Sequence, residues 1–314
     1  MSKIKTACEK KDIVSNCSGD KRPDFRSAIL FVNNDKKKAT ELTEVIKSEL
    51  EKINYKVKVI SVKDNPGKLQ EDKWDIAFSL GGDGTVLSTA RCMAPLGVPI
   101  LPVNMGTLGF IAEVNKEDWF DVFCRWERNE IIPSRRCMFE ISVIRGSKTV
   151  MTNCCLNDAV ISATGIAKLI NLDVHIEHMI LGTYRCDGLI LATPTGSTAY
   201  SMAAGGPIVD PEMEAVIINP ICPFTLSNRP FVLPSSQTLA VTVLENQRSG
   251  VLLTIDGQDT FLLECNDKIL VRQAHFCAQF IFNEKYAYYS ALKKKLFWQP
   301  SLIEQSVKAG DADA

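Results

Sequence analysis

The stretch GGDGT, Gly81 to Thr85, joins two segments of different pattern, and this junction indicates the fold of the first part of the chain. The apolar run from Trp74 to Leu80 precedes it and is typical of a short buried strand. The segment from Val86 to Ala94 follows it, reads as a helix, and is closed by Pro95 and Gly97. The stretch therefore predicts a glycine turn that carries one carboxylate between a strand end and a helix start.

A turn of this kind can bind an anion. Backbone N–H groups and the helix dipole favour negative charge at a helix start, and the glycines on both sides of Asp83 let a phosphate approach the backbone closely. The alternative is that Asp83 only caps the helix, which is a common use of aspartate. The pentapeptide alone leaves both interpretations open.

The surrounding sequence continues this alternation of strands and helices from Phe25 to about Arg128. Such alternation predicts a parallel sheet with helices on both faces. Ligands of these sheets bind beyond the carboxyl ends of the strands. Both GGDGT and a second glycine-rich turn, Asn104 to Phe110, follow predicted strands. We therefore expect the two turns to share one site.

After Pro133 the pattern changes to short strands, one of which alternates Leu172, Val174 and Ile176 with polar residues. This pattern predicts a mainly β region, arranged as a sandwich. The predicted organisation is a flexible tail over 1–24, an α/β parallel-sheet domain carrying GGDGT over 25–128, a β-sandwich domain over 129–284, and a C-terminal helix and tail over 285–314. We expect the C-terminal helix to return to the first domain.

Composition narrows the possible partners and compartment. Of the 314 residues, 46% are hydrophobic and 23% charged, and the net charge of −1 gives no basic field for nucleic acid or a membrane surface. No apolar run reaches the length of a membrane span, and the polar start, Met1 to Asp24, lacks the apolar core of a signal peptide. We expect a cytoplasmic protein without nucleic-acid or membrane partners.

The cysteines and histidines predict neither disulfides nor a metal site. The eleven cysteines are odd in number and contain no Cys-x-x-Cys pair, which favours free thiols in a reducing compartment. The three histidines do not stand at metal-ligand spacing. No protein residue is therefore predicted as a metal ligand.

A second polar stretch, TPTGSTAY from Thr193 to Tyr200, lies just before a predicted helix. Four of its residues carry aliphatic hydroxyls, whereas a helix cap needs only one. Hydroxyls and backbone N–H groups at such a turn suit ribose hydroxyls and phosphate oxygens, so a ligand site is favoured over a cap. The pair Asn157-Asp158 and the triplet Asp256-Gly257-Gln258 are weaker signals, and each alone is typical of an ordinary turn.

Together these stretches resemble the NAD kinase family. The matching segments, in the family's order, are GGDGT at 81–85, the glycine-rich turn at 104–110, Asn157-Asp158, TPTGSTAY at 193–200, Pro220 to Pro234 with its Leu-Ser-x-Arg centre, and Asp256-Gly257-Gln258. The similarity spans approximately Phe25 to Trp298. Two small departures, Thr107 and Asn228, stand where the family usually has other residue types, and they are expected to alter substrate affinity only.

The resemblance implies transfer of the γ-phosphoryl group of ATP to the 2′-hydroxyl of the adenosine ribose of NAD, giving NADP, with Mg²⁺ neutralising phosphate charge. It implies a homodimer or homotetramer whose NAD site is completed across a subunit contact. Asp83 would be the general base or would orient the 2′-hydroxyl, and Asp187 would reach the nicotinamide end. The ligand-binding residues implied are Gly82, Gly84, Thr85, Phe110, Asn157, Asp158, Asp187, Thr195, Ser197, Thr198, Ala199, Tyr200 and Asp256.

Two other functions remain open. A lipid kinase acting on diacylglycerol or sphingosine would keep GGDGT, but it has no reason to carry the hydroxyl-rich stretch at Thr193. A non-catalytic NAD-binding regulator would keep the NAD contacts, but it could dispense with Asp83.

Overall fold

The computed structural model describes residues 26–33, 37–62, 73–106, 109–165, 168–225, 227–245, 247–283 and 287–297. The predicted tail over 1–24 lies outside the described residues, as do Thr107 and the chain from residue 298 onward. Within the described ranges, no helix is long and apolar enough to cross a membrane.

The first part of the chain alternates strands and helices, as predicted. Its elements are β1 Arg26–Val32, α1 Lys37–Lys52, β2 Tyr55–Ser61, β3 Ile76–Gly81, α2 Asp83–Met93, β4 Ile100–Asn104, β5 Val114–Asn115 and α3 Trp119–Glu127. Strands β1 to β4 are parallel and lie in the order β2-β1-β3-β4. Every residue of β3 is buried, which explains its almost uninterrupted apolar sequence. The α/β prediction is confirmed.

The second part is mainly β. Its strands are β6 Ser134–Arg145, β7 Lys148–Cys155, β8 Asp158–Ala163, β9 Ile170–Ile176, β10 Met179–Cys186, β11 Gly188–Ala192, β12 Ala215–Ile221, β13 Phe231–Pro234, β14 Leu239–Val243, β15 Val251–Ile255, β16 Asp259–Leu263 and β17 Lys268–Phe280. Two short helices accompany them, α4 Tyr200–Ala203 and α5 Ala287–Lys295. Six strands form a separate antiparallel sheet in the order β13-β12-β11-β8-β15-β16.

The antiparallel sheet packs against part of the larger sheet and forms the sandwich core. Ile161 and Leu191 of the six-stranded sheet share one buried cluster with Val174 and Ile269 of the larger sheet. The alternation in β9 buries Leu172, Val174 and Ile176 and leaves the residues between them half-buried. The predicted β-sandwich is confirmed.

The larger sheet continues from the first part into the second. Strand β17 pairs in parallel with β4, with Phe280 opposite Ile100, and the Ile281 N–H donates to the Ile100 carbonyl at 2.9 Å. The following helix, α5, places Lys295 Nζ 4.1 Å from the centre of the Phe110 ring, so the C-terminal helix returns to the first part as predicted. A domain boundary near residue 128 stays a proposal.

The sequence pattern predicts two strands, Ile269 to Arg272 and Phe276 to Phe282, where the structure has the single strand β17. This prediction is wrong. The register of β17 against β6 shifts between Gln273 and Cys277, and such an irregularity interrupts the side-chain alternation on which a strand prediction depends.

Candidate active site

The two glycine-rich turns of the first part lie side by side. Gly81 at the end of β3 is in register with Asn104 at the end of β4, and the Met105 N–H donates to the Gly81 carbonyl at 2.8 Å. The carboxyl ends of parallel strands lie at one edge of a sheet, which is why two turns far apart in sequence become neighbours.

Asp83 does not cap helix α2. The N-cap position is Gly82 and no side chain caps the helix. The Asp83 carboxylate instead accepts three backbone hydrogen bonds from the loop after β4: Phe110 N–H donates to Oδ2 at 2.9 Å, and Ile111 and Ala112 N–H donate to Oδ1 at 3.2 and 2.9 Å. The capping alternative is therefore wrong, and the carboxylate fixes the second glycine-rich turn against the first.

Two glycines of these turns are required by close packing. A Cβ on Gly109 would lie 1.9 Å from Asp83 Oδ1, and a Cβ on Gly81 would lie 2.0 Å from Thr85 Oγ1. Both distances are far below van der Waals contact. Thr85 is consequently buried beneath the turn, and its side chain supports the turn's shape.

In the second part of the chain, Asp256 binds backbone N–H groups as Asp83 does in the first part. Its buried carboxylate accepts the backbone N–H groups of Leu156, Asn157 and Asp158 at 3.1, 2.8 and 3.2 Å. Asp256 and Gly257 both have positive φ, 50° and 65°, which turns the chain sharply after β15 and directs the carboxylate inward. Asp256 thus holds the segment that carries the predicted Asn157-Asp158 pair.

Most hydroxyls of the Thr193 to Tyr200 stretch are hydrogen-bonded within the protein. Thr193 Oγ1 donates to the Leu156 carbonyl, Ser197 Oγ bonds to both the carbonyl and the N–H of Val209, and Thr198 Oγ1 donates to the Thr195 carbonyl. Thr195 Oγ1 is buried without a hydrogen-bond partner among the described residues. The surplus of hydroxyls therefore stabilises the loop itself more than the sequence suggests.

A cavity of about 340 Å³ lies where these segments meet. Its lining residues are Asn157, Asp158, Val160, Ser162, Ala199, Tyr200, Thr254, Asp256 and Gly257. Five of them belong to the predicted ligand set. The other four are Val160, Ser162, Thr254 and Gly257. Side-chain alternation could have identified the first three, because residues 158, 160 and 162 lie on one face of β8 and Thr254 of β15 pairs with Val160.

The cavity contains groups that suit a hydrogen-bonding ligand. Asn157 Oδ1 is buried without a partner in the described part of the chain, which leaves an acceptor available. Burial and the neighbouring Asp256 carboxylate raise the pKa of Asp158 to about 7. Burial also raises the pKa of Asp256, against the opposing effect of its three N–H donors and of Arg91. One carboxylate of this pair can therefore gain or lose a proton near neutral pH.

Nine of the fourteen predicted site residues do not line this cavity. They are the described residues Gly82, Asp83, Gly84, Thr85, Phe110, Asp187, Thr195, Ser197 and Thr198. Asp187 immediately precedes Gly188, whose cross-strand partner is Ser162, so Asp187 lies near one end of the cavity. Asp83 belongs to the GGDGT turn, whose Gly84 carbonyl accepts a hydrogen bond from Gln258 Nε2 at 2.8 Å.

Family models and individual relatives of known function identify the same family. Residues 26–131 match the model of the ATP-NAD kinase N-terminal domain, and residues 156–282 match the model of the ATP-NAD kinase C-terminal domain. An NAD kinase of Treponema denticola is 42% identical over 234 residues, which are 74% of this chain and 82% of that protein. An NAD kinase of Geobacter sulfurreducens is 40% identical over 224 residues, which are 71% of this chain and 78% of that protein.

Two solved structures share the fold. The yeast NADH kinase complexed with NADH superposes with a TM-score of 0.80 at 23% identity, covering 89% of both chains. An NAD kinase from Archaeoglobus fulgidus in complex with ATP has a TM-score of 0.67 at 23% identity, covering 86% of this chain and 98% of that one. At this identity the likeness bears on fold alone.

Proposed function

The chain belongs to the NAD kinase family and phosphorylates NAD with ATP, and we propose that it does so where the GGDGT turn meets the Asn157-Asp158 cavity. One observation supports this location: the turn after β15 contacts both the cavity and the GGDGT turn. Gly257 lines the cavity, while the next residue, Gln258, donates from Nε2 to the Gly84 carbonyl at 2.8 Å. A phosphoryl donor at the first turn and an acceptor in the cavity would therefore be neighbours.

The GGDGT turn is proposed to hold the phosphates of ATP. Gly82 and Gly84 present backbone without side chains at the start of α2, where N–H groups and the helix dipole favour anions. Asp83 is proposed to orient the 2′-hydroxyl or to take its proton. Asp83 Oδ2 accepts one of the three backbone hydrogen bonds described above, and a carboxylate oxygen carries two lone pairs, so one position remains for the hydroxyl.

The cavity is proposed to hold NAD. Asn157 and Asp158 suit a ribose diol, because an amide and a carboxylate can pair with two hydroxyl groups. Ala199 and Tyr200 form part of the wall, and Tyr200 is 49% exposed, so a ring could pack on a bound base or ribose. Asp187, at the Ser162 end, is proposed to reach the nicotinamide. Phe110 is proposed to contact NAD beside Asp83.

Mg²⁺ is proposed to enter with ATP as part of the substrate. No group of three or more His, Cys, Asp or Glu that could hold a metal ion occurs among the described residues. Mg²⁺ in phosphoryl-transfer enzymes usually needs only one or two carboxylates in addition to substrate phosphates and waters.

Incubation of the purified protein with ATP, Mg²⁺ and NAD tests the proposal, and formation of NADP and ADP is expected. Parallel reactions with diacylglycerol and with sphingosine test the lipid-kinase alternative. Phosphorylated lipid without NADP would reject the proposal. Binding of NAD without turnover would favour the non-catalytic regulator instead.

The pKa of Asp158 gives a pH prediction. The deprotonated carboxylate accepts hydrogen bonds from ribose hydroxyls, and the protonated form accepts fewer. With a pKa of about 7, the deprotonated fraction falls about tenfold between about pH 8 and about pH 6. The KM for NAD should therefore rise about tenfold on acidification over this range, while the KM for ATP changes little.

The variant Asp158→Asn provides the control for this pH dependence. It removes the titrating group, so its KM for NAD should be nearly constant across the same range. The KM should also be higher than that of the wild type, because the lost hydrogen bonding weakens NAD binding by about 1–3 kcal/mol. If the wild-type KM for NAD is flat with pH, Asp158 does not bind the ribose as a carboxylate.

Assembly and compartment are further proposals. We expect a homodimer or homotetramer in the cytoplasm, where free cysteines such as those in the described residues stay reduced. Phe231 and Val232 on the edge strand β13 are 44% and 41% exposed, and apolar side chains on an edge strand favour association. Sedimentation should show a dimer or tetramer, and an active monomer at assay concentration would contradict this.

A further inference from the structure

One face of helix α2 contacts the Gln258 side chain, which belongs to the other part of the chain. Gly84, Ser88 and Arg91 follow each other at i, i+4 and i+7, so they lie on one side of the helix. Ser88 Oγ donates to Gln258 Oε1 at 2.8 Å, and Arg91 Nη2 donates to the same oxygen at 2.8 Å. Gln258 Nε2 donates to the Gly84 carbonyl at 2.8 Å.

These contacts use the Gln258 amide in both directions. The oxygen accepts two hydrogen bonds and the nitrogen donates one, so the amide has a defined orientation. Gly84 belongs to the first turn of α2, and Gln258 follows Gly257, which lines the cavity. The Gln258 side chain therefore joins the GGDGT turn to the cavity wall.

Arg91 extends this connection to the segment that carries Asn157. Arg91 Nη1 lies 3.7 Å from Asp256 Oδ2 and Arg91 Nη2 lies 3.4 Å from Asp259 Oδ2. The Arg91 side chain is only 14% exposed, and that of Asp256 is fully buried. Arg91 thus offsets the charge of the carboxylate that binds the backbone of residues 156–158.

We propose that Gln258 and Arg91 are positioning residues, which set the distance between the GGDGT turn and the Asn157-Asp158 segment. They are not among the described residues that line the cavity, and in this proposal they act through Gly84 and Asp256. This inference rests on the proposed function, in which the phosphoryl donor occupies one side of the joint and the acceptor the other. A misplacement of about 1 Å between reacting groups costs about 10²-fold in rate.

The variant Gln258→Leu tests the inference, because leucine retains most of the volume and makes none of the three hydrogen bonds. The turnover number should fall by about 10- to 100-fold, whereas the KM values for NAD and ATP should each change by less than about threefold, since the nucleotide contacts remain. A purely structural role predicts a different result, a lower melting temperature with normal turnover at a temperature where the variant is folded.

Gln279→Leu is the matched control. Gln279 Nε2 also donates across to the first part of the chain, to the Gly97 carbonyl at 3.4 Å, but this bond lies beyond the other end of α2. Its loss should leave turnover and both KM values unchanged. An equal loss of turnover in Gln258→Leu and Gln279→Leu would overturn the proposal, because any contact between the two parts would then have the same effect.

A second variant connects Arg91 to the same joint. Arg91→Lys keeps the positive charge near Asp256 but loses the planar fork that reaches Gln258 and Asp259 together. Its turnover should fall by about tenfold, and the double variant with Gln258→Leu should lose clearly less than the product of the two single losses, because both changes break one connection. Multiplicative losses would reject a shared positioning role. Arg91→Lys also keeps the test available if Gln258→Leu does not fold.

The wild-type reaction distinguishes a failure of the proposed function from a failure of the positioning role. Absence of NADP formation by the wild-type protein would contradict the proposed function itself. Normal NADP formation by both the wild type and Gln258→Leu would contradict the positioning role alone and leave the proposed function intact.

Discussion

Asp83→Asn is expected to abolish most NADP formation, with turnover falling by about 10²–10⁴-fold. Asparagine is isosteric with aspartate but cannot take a proton from the 2′-hydroxyl. If the carboxylate only oriented the loop, the loss of turnover would be no larger than the loss caused by disturbing the loop structure. Steady-state kinetics at saturating NAD and ATP would measure the effect.

The structure adds a stability cost to this substitution. An amide could serve as a helix cap as well as a carboxylate, but the Asp83 carboxylate accepts three backbone N–H groups from Phe110, Ile111 and Ala112. In asparagine one of the two positions becomes an NH₂ group, which would face at least one backbone donor. An unsatisfied buried N–H costs about 1–3 kcal/mol, so the melting temperature of the variant should fall.

Gly109→Ala separates the action of Asp83 on the 2′-hydroxyl from its role in holding the loop. It keeps the carboxylate, but its Cβ would lie 1.9 Å from Oδ1, so the loop and the carboxylate must move apart. If Asp83 acts on the hydroxyl as well as on the loop, Asp83→Asn should lose much more turnover than Gly109→Ala for a similar fall in melting temperature. If Asp83→Asn retains more than about a tenth of wild-type turnover, the proposed mechanism at Asp83 is wrong.

The sequence predicts the elements of this fold better than the contacts of its site. The GGDGT turn lies between β3 and α2 as the sequence predicts, because strand and helix have different apolar periods. The neighbourhood of Gly81 and Asn104 was also predicted, since parallel strands end at one edge of a sheet. By contrast, nothing in the sequence around Asp83 indicates that its carboxylate binds the backbone of residues 27 to 29 positions later. Backbone N–H groups are present in every residue and leave no pattern.

In the β-sandwich, too, the sequence predicts the contacts of the site less well than the fold. The residue types of Asn157 and Asp158 favour a turn, and the sequence pattern predicts no strand at β8. In the structure Asp158 begins the strand, and its face continues to Val160 and Ser162 along the cavity. The number of hydroxyls from Thr193 onward predicts a ligand site, but Ser197 and Thr198 bond to backbone atoms. Composition shows that hydroxyls are needed and does not show which partner uses them.

Gly196→Ala is expected to damage the NAD site and the stability of the protein together. A Cβ on Gly196 would lie 2.0 Å from the Asn157 carbonyl oxygen, 2.5 Å from its carbonyl carbon and 2.8 Å from its Cα. These are backbone atoms, which cannot rotate out of the way as a side chain can. The Thr193 N–H also donates to the Asn157 carbonyl at 2.8 Å, and this bond keeps the two segments close.

The methyl group therefore has to displace one segment from the other. Overpacking of a tightly packed interior typically costs about 1–3 kcal/mol, and sometimes more, so a clear fall in melting temperature is expected. Because Asn157 and Asp158 line the cavity, their displacement should also raise the KM for NAD by at least about tenfold, equivalent to about 1.4 kcal/mol. Gly182→Ala is the control, since a Cβ there has nothing within 4 Å, and it should change neither quantity. A Gly196→Ala protein with the melting temperature and KM for NAD of the wild type would show that the TPTGSTAY loop does not press against Asn157 in solution.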